Sequence, residues 1–476
     1  MSSCSDAVAA RAYPLLLTDT GAQTEAIPFD RSVYRVSDPI ASISGYTDYN
    51  PQEMTVMSTW LQSIPEVYRS YGYTGIVLRP LEYAENLLKK GGLDKQIFGV
   101  SRLQDGSLTK YGLPFDRTVP MALFIANHFR EISFPYKRWD INYSYRGEHA
   151  KAGRYRAFFQ ADNDIVDKKL TFRADAESIA TMIKALESIG IRGFHVYLNH
   201  ISVAKAFIRA AGVPDALCND VLRIIDKLKP DNRAEVIVEL RETVPGFGEA
   251  AAEELLASMS YQGPLSEFTA PLPEGGDVGF THLVNVERMC IAMGVTPGTI
   301  LLDLKLTRGL DYYTGIVFES FIEGREVYGS IASGGRYSDL VDGFSGVSTG
   351  LEGVGASIGL TRLFDVMKAE GVLDLSKQTT APVFVGYRTL AEGCFEKALE
   401  VAKEIRAAGI DVEFYVSETV RVKNQLTLCN NKGIPFAVMV MNPDEIIIKE
   451  LILGDAGQIA HTSTADVVAT LKGKGL

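Results

Sequence analysis

The chain has 476 residues, 46% of them hydrophobic and 22% charged, an ordinary balance for a folded protein of about three domains at roughly 150 residues each, so collagen-like, low-complexity and wholly disordered classes are excluded. Lys plus Arg number 48 against 59 Asp plus Glu, and the net charge of −11 means that a nucleic-acid partner has to be met by a local basic patch against a repelling overall field. The longest apolar runs, such as Phe436–Met441 and Ile446–Ile448, fall far short of the ~20 residues a spanning helix needs, so no membrane segment is expected.

Residues 1–44 are rich in Ser, Ala and Thr without periodicity and read as an N-terminal extension. Their first thirty residues carry Arg11 against Asp6, Asp19, Glu25 and Asp30, the wrong balance for an Arg-rich transit peptide, and a cytoplasmic protein is expected. Residues 51–71 then predict a helix, with Met54, Met57, Trp60, Leu61 and Ile64 at helical spacing, and 75–79 a strand, with Pro80 suited to a strand end or a helix start. The stretch Asp116-Arg-Thr-Val-Pro120 opens a helix over 121–129. Strand patterns over 141–148 and 154–166, separated by a short polar segment containing Gly153, predict a hairpin. An amphipathic helix over 174–190 and a strand over 193–198 follow.

From about 213 to 280 the character becomes helical (217–228, 231–240, 250–258) and closes in the turn-rich stretch 264–279, which predicts an inserted subdomain. Strand patterns resume at 300–304 and 312–321. Residues 374–382 read as a linker. Beyond them 383–387, 391–408, 411–415, 419–431 and 436–440 alternate strand and helix, implying a small three-layer domain with a mainly parallel sheet. The expected organisation is an extension over 1–44, a large domain over 45–373 with the insertion at about 213–280, and a smaller α/β domain over 381–476.

Successive side chains of a strand point to opposite faces. In the predicted hairpin, Arg146 and Glu148 share one face, and Arg154, Arg156, Phe158, Gln160, Asp162 and Asp164 share one face of the second strand, backed by the mostly apolar set Tyr155, Ala157, Phe159, Ala161, Asn163 and Ile165. Guanidinium forks match phosphate oxygens, and Phe158 can stack on a nucleobase. A solvated hairpin face explains the charges about equally well. Three further segments stand out: Thr307-Arg-Gly-Leu-Asp-Tyr-Tyr-Thr-Gly315, where Arg308 and Tyr313 converge only if the period breaks near Gly309; Ser333-Gly-Gly-Arg-Tyr337, a close backbone approach; and Gly353-Val-Gly-Ala-Ser-Ile-Gly359, leading into a helix that carries Arg362 near its start.

Other chemistries lack their signatures. The five cysteines are scattered without a C-x-x-C, which fits a reducing compartment. The six histidines show no metal spacing, so no metal site built from side chains is expected, and His195 and His200 are taken as structural. Neither G-x-G-x-x-G nor G-x-x-x-x-G-K-[ST] occurs, which removes dinucleotide and P-loop folds.

The string Arg-Gly-Leu-Asp-Tyr-Tyr-Thr-Gly (308–315) closely resembles the signature of the histidine–tRNA ligases, within the class II aminoacyl-tRNA synthetases. Arg146-Gly-Glu148 with Gly153-Arg-Tyr-Arg-Ala-Phe-Phe-Gln160 resembles the second motif of that class, Gly355–Arg362 its third, and Pro80 sits where the first motif's proline belongs. The likeness covers roughly residues 50–476, and the C-terminal domain resembles an anticodon-binding module. Ser338 stands where the family commonly has Asp.

The resemblance implies an α/β protein: a catalytic domain on an antiparallel sheet plus the smaller anticodon-binding domain. It also implies a homodimer formed through the first motif, ATP as substrate with Mg²⁺, and histidine and its tRNA as partners. Arg146 would bind the α-phosphate, Glu148 the adenine edge, Phe158 the adenine face, and Arg154 with Arg362 the β- and γ-phosphates. Asp116 and Thr118 would take the α-amino group of histidine, Gln160 and Arg308 its carboxylate, and Asp164 with Tyr313, beside Tyr312, its imidazole. Arg146 and Arg308 would be the catalytic pair. A catalytically dead relative would have lost such residues, and a class I synthetase would show His-x-Gly-His or Lys-Met-Ser-Lys-Ser, which are missing.

Overall fold

The computed structural model describes residues 16–17, 23–24, 40–89, 96–102, 110–149, 153–229, 231–307, 313–338, 340–345, 348–388, 391–417 and 421–476. The chain divides into two compact units, Met1–Thr47 with Leu61–Met367 and Asp48–Trp60 with Lys368–Leu476.

The larger unit is built on a sheet that has nine strands among the described residues: β1 (Thr74–Gly75), β2 (Tyr136–Tyr145), β3 (Ala157–Asp167), β4 (Phe194–His200), β5 (Gln262–Gly263), β6 (Ile300–Asp303), β7 (Tyr313–Ile322), β8 (Ala332–Ser338) and β9 (Glu352–Gly359). Their spatial order is β5-β6-β4-β7-β8-β9-β3-β2-β1. The pairs β6–β4 and β3's outer neighbours differ in kind: β6 runs parallel to β4 and β1 parallel to β2, while the six remaining pairings are antiparallel. The expected antiparallel platform is therefore present, with parallel pairs near its edges.

One face of β3 is sealed by the helix Phe172–Ser188, whose Ala176, Ile179, Ala180, Ile183 and Leu186 recur at helical spacing and are buried. Thr171 caps this helix by accepting from the Arg173 amide at 3.3 Å. On β3 itself Ala161 and Asn163 turn towards that layer: Asn163 Nδ2 donates to Ser178 Oγ at 3.2 Å, and the Tyr68 hydroxyl donates to the Ala161 carbonyl at 3.3 Å. Phe158, Gln160, Asp162 and Asp164 are thereby left on the opposite face, as the alternation requires.

Several elements differ from the sequence expectation. The segments 332–338 and 352–359, read as a close approach and as the lead into a helix, are both interior strands. The turn-rich stretch gives way at residue 277 to a helix, Asp277–Ala292, that packs on Phe172–Ser188, and a further helix spans Ile201–Ala210. Between residues 213 and 280 the helices are Cys218–Ile225, Arg233–Thr243 and Glu249–Ser258, the second packing against both others, with Val221, Ile225, Val236, Leu240, Leu255 and Leu256 buried.

The second unit carries a sheet of five strands among the described residues, β10 (Val383–Tyr387), β11 (Val412–Phe414), β12 (Phe436–Asn442), β13 (Glu445–Glu450) and β14 (Gln458–His461), in the order β11-β10-β12-β13-β14. The first three are parallel, as the βαβαβ pattern implied; β13 and β14 add antiparallel pairs, so the sheet is mixed rather than mainly parallel. Val383–Val385, Ala398, Val401, Ile405, Ala437–Val440 and Val467 form its core.

Candidate active site

The hairpin that carries the candidate residues is longer than its sequence pattern suggested. The strand β2 begins at Tyr136, not at 141, and the ladder ends at the pair Tyr145 and Ala157, with one further backbone bond from the Arg146 amide to the Arg156 carbonyl at 2.9 Å. Arg146, Glu148 and Arg154 therefore lie in the connection, where strict alternation does not hold. Arg156 departs from the expected common face: its Nε donates to the Glu148 carbonyl at 3.1 Å and its Nη1 to the Ser44 carbonyl at 3.5 Å.

Two cavities open on the exposed face of the sheet and share Arg146, Gln160, Ser333 and Ser357 in their walls. The larger, of about 490 Å³, takes in Asp116, Thr118, Gln160, Asp164 and Tyr313 from the expected set, together with Asp162, Asp226, Glu319, Arg117 and Tyr337. The smaller, of about 210 Å³, takes in Arg146, Glu148, Arg154, Phe158 and Arg362. Thus every expected site residue that is described faces one of the two cavities; Arg308 and Tyr312 lie outside the described residues.

The cavities differ in charge. Carboxylates prevail in the larger: Asp116, Asp162, Asp164, Asp226 and Glu319 against Arg117 and Arg146. Arginines prevail in the smaller: Arg146, Arg154 and Arg362 against Glu148. Arg146 bridges them, its Nε donating to the Phe115 carbonyl at 3.2 Å and its Cζ lying 4.9 Å from the centre of the Phe158 ring, so the aromatic face holds the guanidinium in place. Arg362 joins the two loops that border the smaller cavity, donating from Nε to the Gly153 carbonyl at 2.9 Å and from Nη1 to the Ser330 carbonyl at 2.7 Å. Arg154 pairs with Glu148 at 3.3 Å.

At the acidic end, Asp164 Oδ2 lies 2.6 Å from Arg138 Nη2, an ion pair without a directed hydrogen bond, and its Oδ1 accepts from the Tyr337 hydroxyl at 2.9 Å. Burial pushes the Asp164 carboxyl up, against the opposing pull of Arg138 and Tyr337. Burial works against the Arg138 charge too, but Asp164, Asp162 and Asp140 outweigh it. A second buried pair, Arg117 with Asp140 at 2.7 Å, stands beside the first. Asp116 Oδ1 accepts the Thr118 and Val119 amides at 3.1 and 3.0 Å and so caps the helix Thr118–His128.

The glycine-rich strands make the floor. A Cβ on Gly355 would sit 2.0 Å from Asp164 Oδ1, and one on Gly353 would sit 2.2 Å from the Tyr337 ring, so neither β9 position tolerates a side chain while those two groups occupy the pocket wall. Tyr313 pairs with Tyr337 across β7 and β8, and the register shifts between Tyr313 and Val317; the break in period expected near Gly309 lies outside the described residues. Behind this floor Arg336 forks onto Asp175 (3.1 and 2.7 Å), which also meets His282 Nε2 at 2.6 Å. His200 Nδ1 accepts the Ser202 amide at 3.2 Å and His195 Nδ1 meets the Gly298 carbonyl at 3.2 Å, the structural roles expected of them. Among the described residues no three His, Cys, Asp or Glu side chains are gathered so as to hold a metal.

Sequence reasoning missed Arg138, Asp140 and Arg117, which lay outside the strand it drew or inside a helix start, and gave no role to Asp162 although it stood on the correct face. The available signal was the register: with β2 extended back to 136, Arg138 falls opposite Asp164 and Asp140 opposite Asp162.

The smaller cavity is thus lined by arginines gathered over a largely antiparallel sheet, in place of a glycine-rich loop leading from a parallel strand into a helix. Residues 45–363 match the family model described as histidyl-tRNA synthetase, and residues 378–446 match that of an anticodon binding domain. The histidine–tRNA ligase of Wolinella succinogenes is 33% identical over 429 residues, 87% of this chain and 94% of the relative; that of Trichormus variabilis is 31% identical over 455 residues, 90% and 96%. The crystal structure of histidyl-tRNA synthetase from Nostoc sp. PCC 7120 superposes with a TM-score of 0.80 at 29% identity, covering 92% of this chain and all of that one. The chain belongs to the histidyl-tRNA synthetase family, whose members use ATP to charge tRNA with histidine.

Proposed function

We propose that the two cavities divide the family's reaction between them: the arginine-lined one holds ATP and the acidic one holds histidine, with the reacting atoms meeting at their common wall. The observation that carries this reading is the sharing of Arg146 and Gln160 by two cavities of opposite charge. Arg146 binds the α-phosphate, Glu148 the adenine edge, Phe158 the adenine face, and Arg154 and Arg362 the β- and γ-phosphates. Gln160 and Arg308 meet the carboxylate of histidine, Asp116 and Thr118 take its α-amino group, and Asp164 with Tyr313, beside Tyr312, recognises the imidazole. Buried hydrogen-bonding groups left unpaired by a wrong amino acid discriminate far better than shape alone.

The substrate carboxylate is ionised at neutral pH and needs no general base. It attacks the α-phosphorus in line and pyrophosphate leaves, so the side chains position two anions and stabilise the charge that builds on the phosphoryl oxygens. A ribose hydroxyl of the terminal adenosine of tRNA then attacks the mixed anhydride. The smaller cavity offers one carboxylate, Glu148, which fits Mg²⁺ carried in by the triphosphate rather than a cage of side chains. The stretch 130–173 holds ten basic and six acidic residues, a local charge of +4 within an acidic chain.

The proposed division of the chain is a catalytic domain over 45–373 with the helical insertion at about 213–280, and an anticodon-binding domain over 381–476. A homodimer fits the exposed apolar side chains Val77, Leu81, Tyr83 and Tyr111 around Pro80. None of the described helices is long and apolar enough to cross a membrane, and a cytoplasmic location is proposed.

Amino-acid-dependent ATP–pyrophosphate exchange across all twenty amino acids tests the reading: stimulation by histidine alone is expected. Arg308→Ala should slow that exchange by roughly 10²–10³-fold with folding intact, the scale for removing one donor to a charged transition state. Near-normal exchange in the variant removes Arg308 from the chemistry.

A further inference from the structure

Behind the floor of the acidic cavity lies a charged cluster to which the proposed chemistry gives no task. Arg336 lines neither cavity, because alternation on β8 sends Tyr337 to the pocket face and Arg336 to the opposite one. There its Nε and Nη2 fork onto Asp175 at 3.1 and 2.7 Å, and its Nη1 donates to the Leu170 carbonyl at 3.0 Å. Asp175 is fully buried on the helix Phe172–Ser188, and His282 of the helix Asp277–Ala292 meets the same carboxylate oxygen, Oδ2, at 2.6 Å. A charge-assisted fork onto a carboxylate that a second helix also engages fixes both the place and the plane of the guanidinium.

What the fork holds in place is the stem. A Cβ on Gly315 would sit 2.9 Å from Arg336 Cδ, 3.2 Å from its Cβ and 3.5 Å from its Cγ, so the aliphatic part of Arg336 fills the space where a side chain of β7 would otherwise stand. Gly315 falls inside the stretch where the ladder between β7 and β8 loses its register. Tyr313 lies opposite Tyr337 and Val317 opposite Gly335, so four steps along β7 answer two along β8. Such an irregularity bends a strand and re-aims its side chains. On its other edge β7 pairs with β4 in unbroken register from Ile316 to Ile322, which confines the bulge to the residues beside Arg336.

The consequence shows on the pocket face. A Cβ on Gly335 would come within 2.7 Å of Tyr313 Cδ1, so the Tyr313 ring lies over that glycine and enters the acidic cavity. Two glycines therefore bracket the bulge: Gly315 admits the Arg336 stem behind β7, and Gly335 admits the Tyr313 ring in front of β8.

We propose that Arg336, anchored by Asp175 and His282, is a positioning residue for the reaction: its stem backs the bulge of β7 at Gly315 and so holds the Tyr313 ring where it recognises the imidazole. The inference rests on the reading that Tyr313 meets that ring; Arg336 itself touches no substrate. Desolvated ion pairs return little net stability, and a positioning task gives this one a reason to be there.

The test is a double-mutant cycle on Arg336→Met and Tyr313→Phe in the full chain, read by pyrophosphate exchange with the KM for histidine and for ATP measured separately. Arg336→Met keeps most of the stem and loses the fork. It should raise the histidine KM by about tenfold and leave the ATP KM within about twofold, and Arg336→Lys, which keeps stem and charge, should recover most of the loss. In the Tyr313→Phe background, where the hydroxyl that the positioning serves is gone, Arg336→Met should add less than about twofold. Losses that multiply in the double variant, an ATP KM that rises as much as that for histidine, or an unchanged histidine KM in Arg336→Met each overturn the proposal. Should Arg336→Met not fold, Asp175→Asn, which keeps the shape of the anchor and removes its charge, is judged by the same cycle and the same criteria. A Tyr313→Phe protein with the wild-type histidine KM refutes the assignment of the imidazole to Tyr313 instead, an outcome distinct from two losses that are both present and independent.

Discussion

The two cavities are walled by the same strands and yet hold opposite charge. The arginine-lined one draws on a connection and on loop borders: Arg146, Glu148 and Arg154 lie between β2 and β3, and Arg362 ties loop carbonyls together. The acidic one draws on the sheet itself, where Asp162 and Asp164 are fixed by the ladder and Asp164 is paired with Arg138 from the neighbouring strand. A triphosphate is large and strongly charged, and long arginines on adaptable backbone suit it. A small zwitterion that must be told from nineteen others needs acceptors held rigidly, and rigid strands provide them.

If this contrast is correct, the sharpest way to break it is at the floor. Gly355→Ala places a methyl group where Asp164 Oδ1 now lies. Displacing that carboxylate should cut histidine-dependent exchange by about 10²-fold through the histidine KM, with the ATP KM held within twofold. A rise in the ATP KM of equal size would mean that the two cavities are not separate. Arg362→Ala probes the other side: the ATP KM should rise by roughly 10-fold, the scale of one charge-assisted contact, while the histidine KM stays level.

The smallest effect concerns stability and sharpens the electrostatic half of the comparison. The carboxyl of Asp162 titrates near 7 when folded, chiefly because burial disfavours its charge, and near 3.8 in a model peptide. Between those values the folded chain holds a proton that the unfolded chain has lost, so this group makes stability fall as pH rises from about 4 to 7. Without histidine, Asp162→Asn should therefore gain on the wild type by roughly 1–3 kcal/mol between pH 5 and 8, as read from denaturant midpoints. A difference between the two that does not change with pH would place the uncompensated charge elsewhere.

Much of this was legible in the sequence, and unevenly so. Alternation put Phe158, Gln160, Asp162 and Asp164 on one face correctly, because β3 is a regular strand. It failed for Arg156, because the ladder stops before it. The glycine-rich segments 332–338 and 352–359 did not read as strands, since glycine has poor strand propensity and no side chain to alternate. They are strands because the site needs a floor without Cβ atoms beneath Asp164 and Tyr337, a demand set by residues over 150 positions away in the chain at Asp164. The helix Asp277–Ala292 was hidden by Gly279, Thr281 and Val284, although Leu283, Val286 and Cys290 face the core at helical spacing. The pairs Arg117 with Asp140 and Arg138 with Asp164 were invisible because tertiary approach and strand register, not spacing, create them.

The most direct measurement is the affinity of a nonhydrolysable acyl-sulfamate analogue of histidyl-adenylate, set beside the affinities of AMP and of histidine alone. Two halves of one continuous site predict that the joined ligand binds at least ~10²-fold more tightly than the better of its parts. An analogue that binds no better than AMP would show that the basic and acidic cavities serve separate ligands.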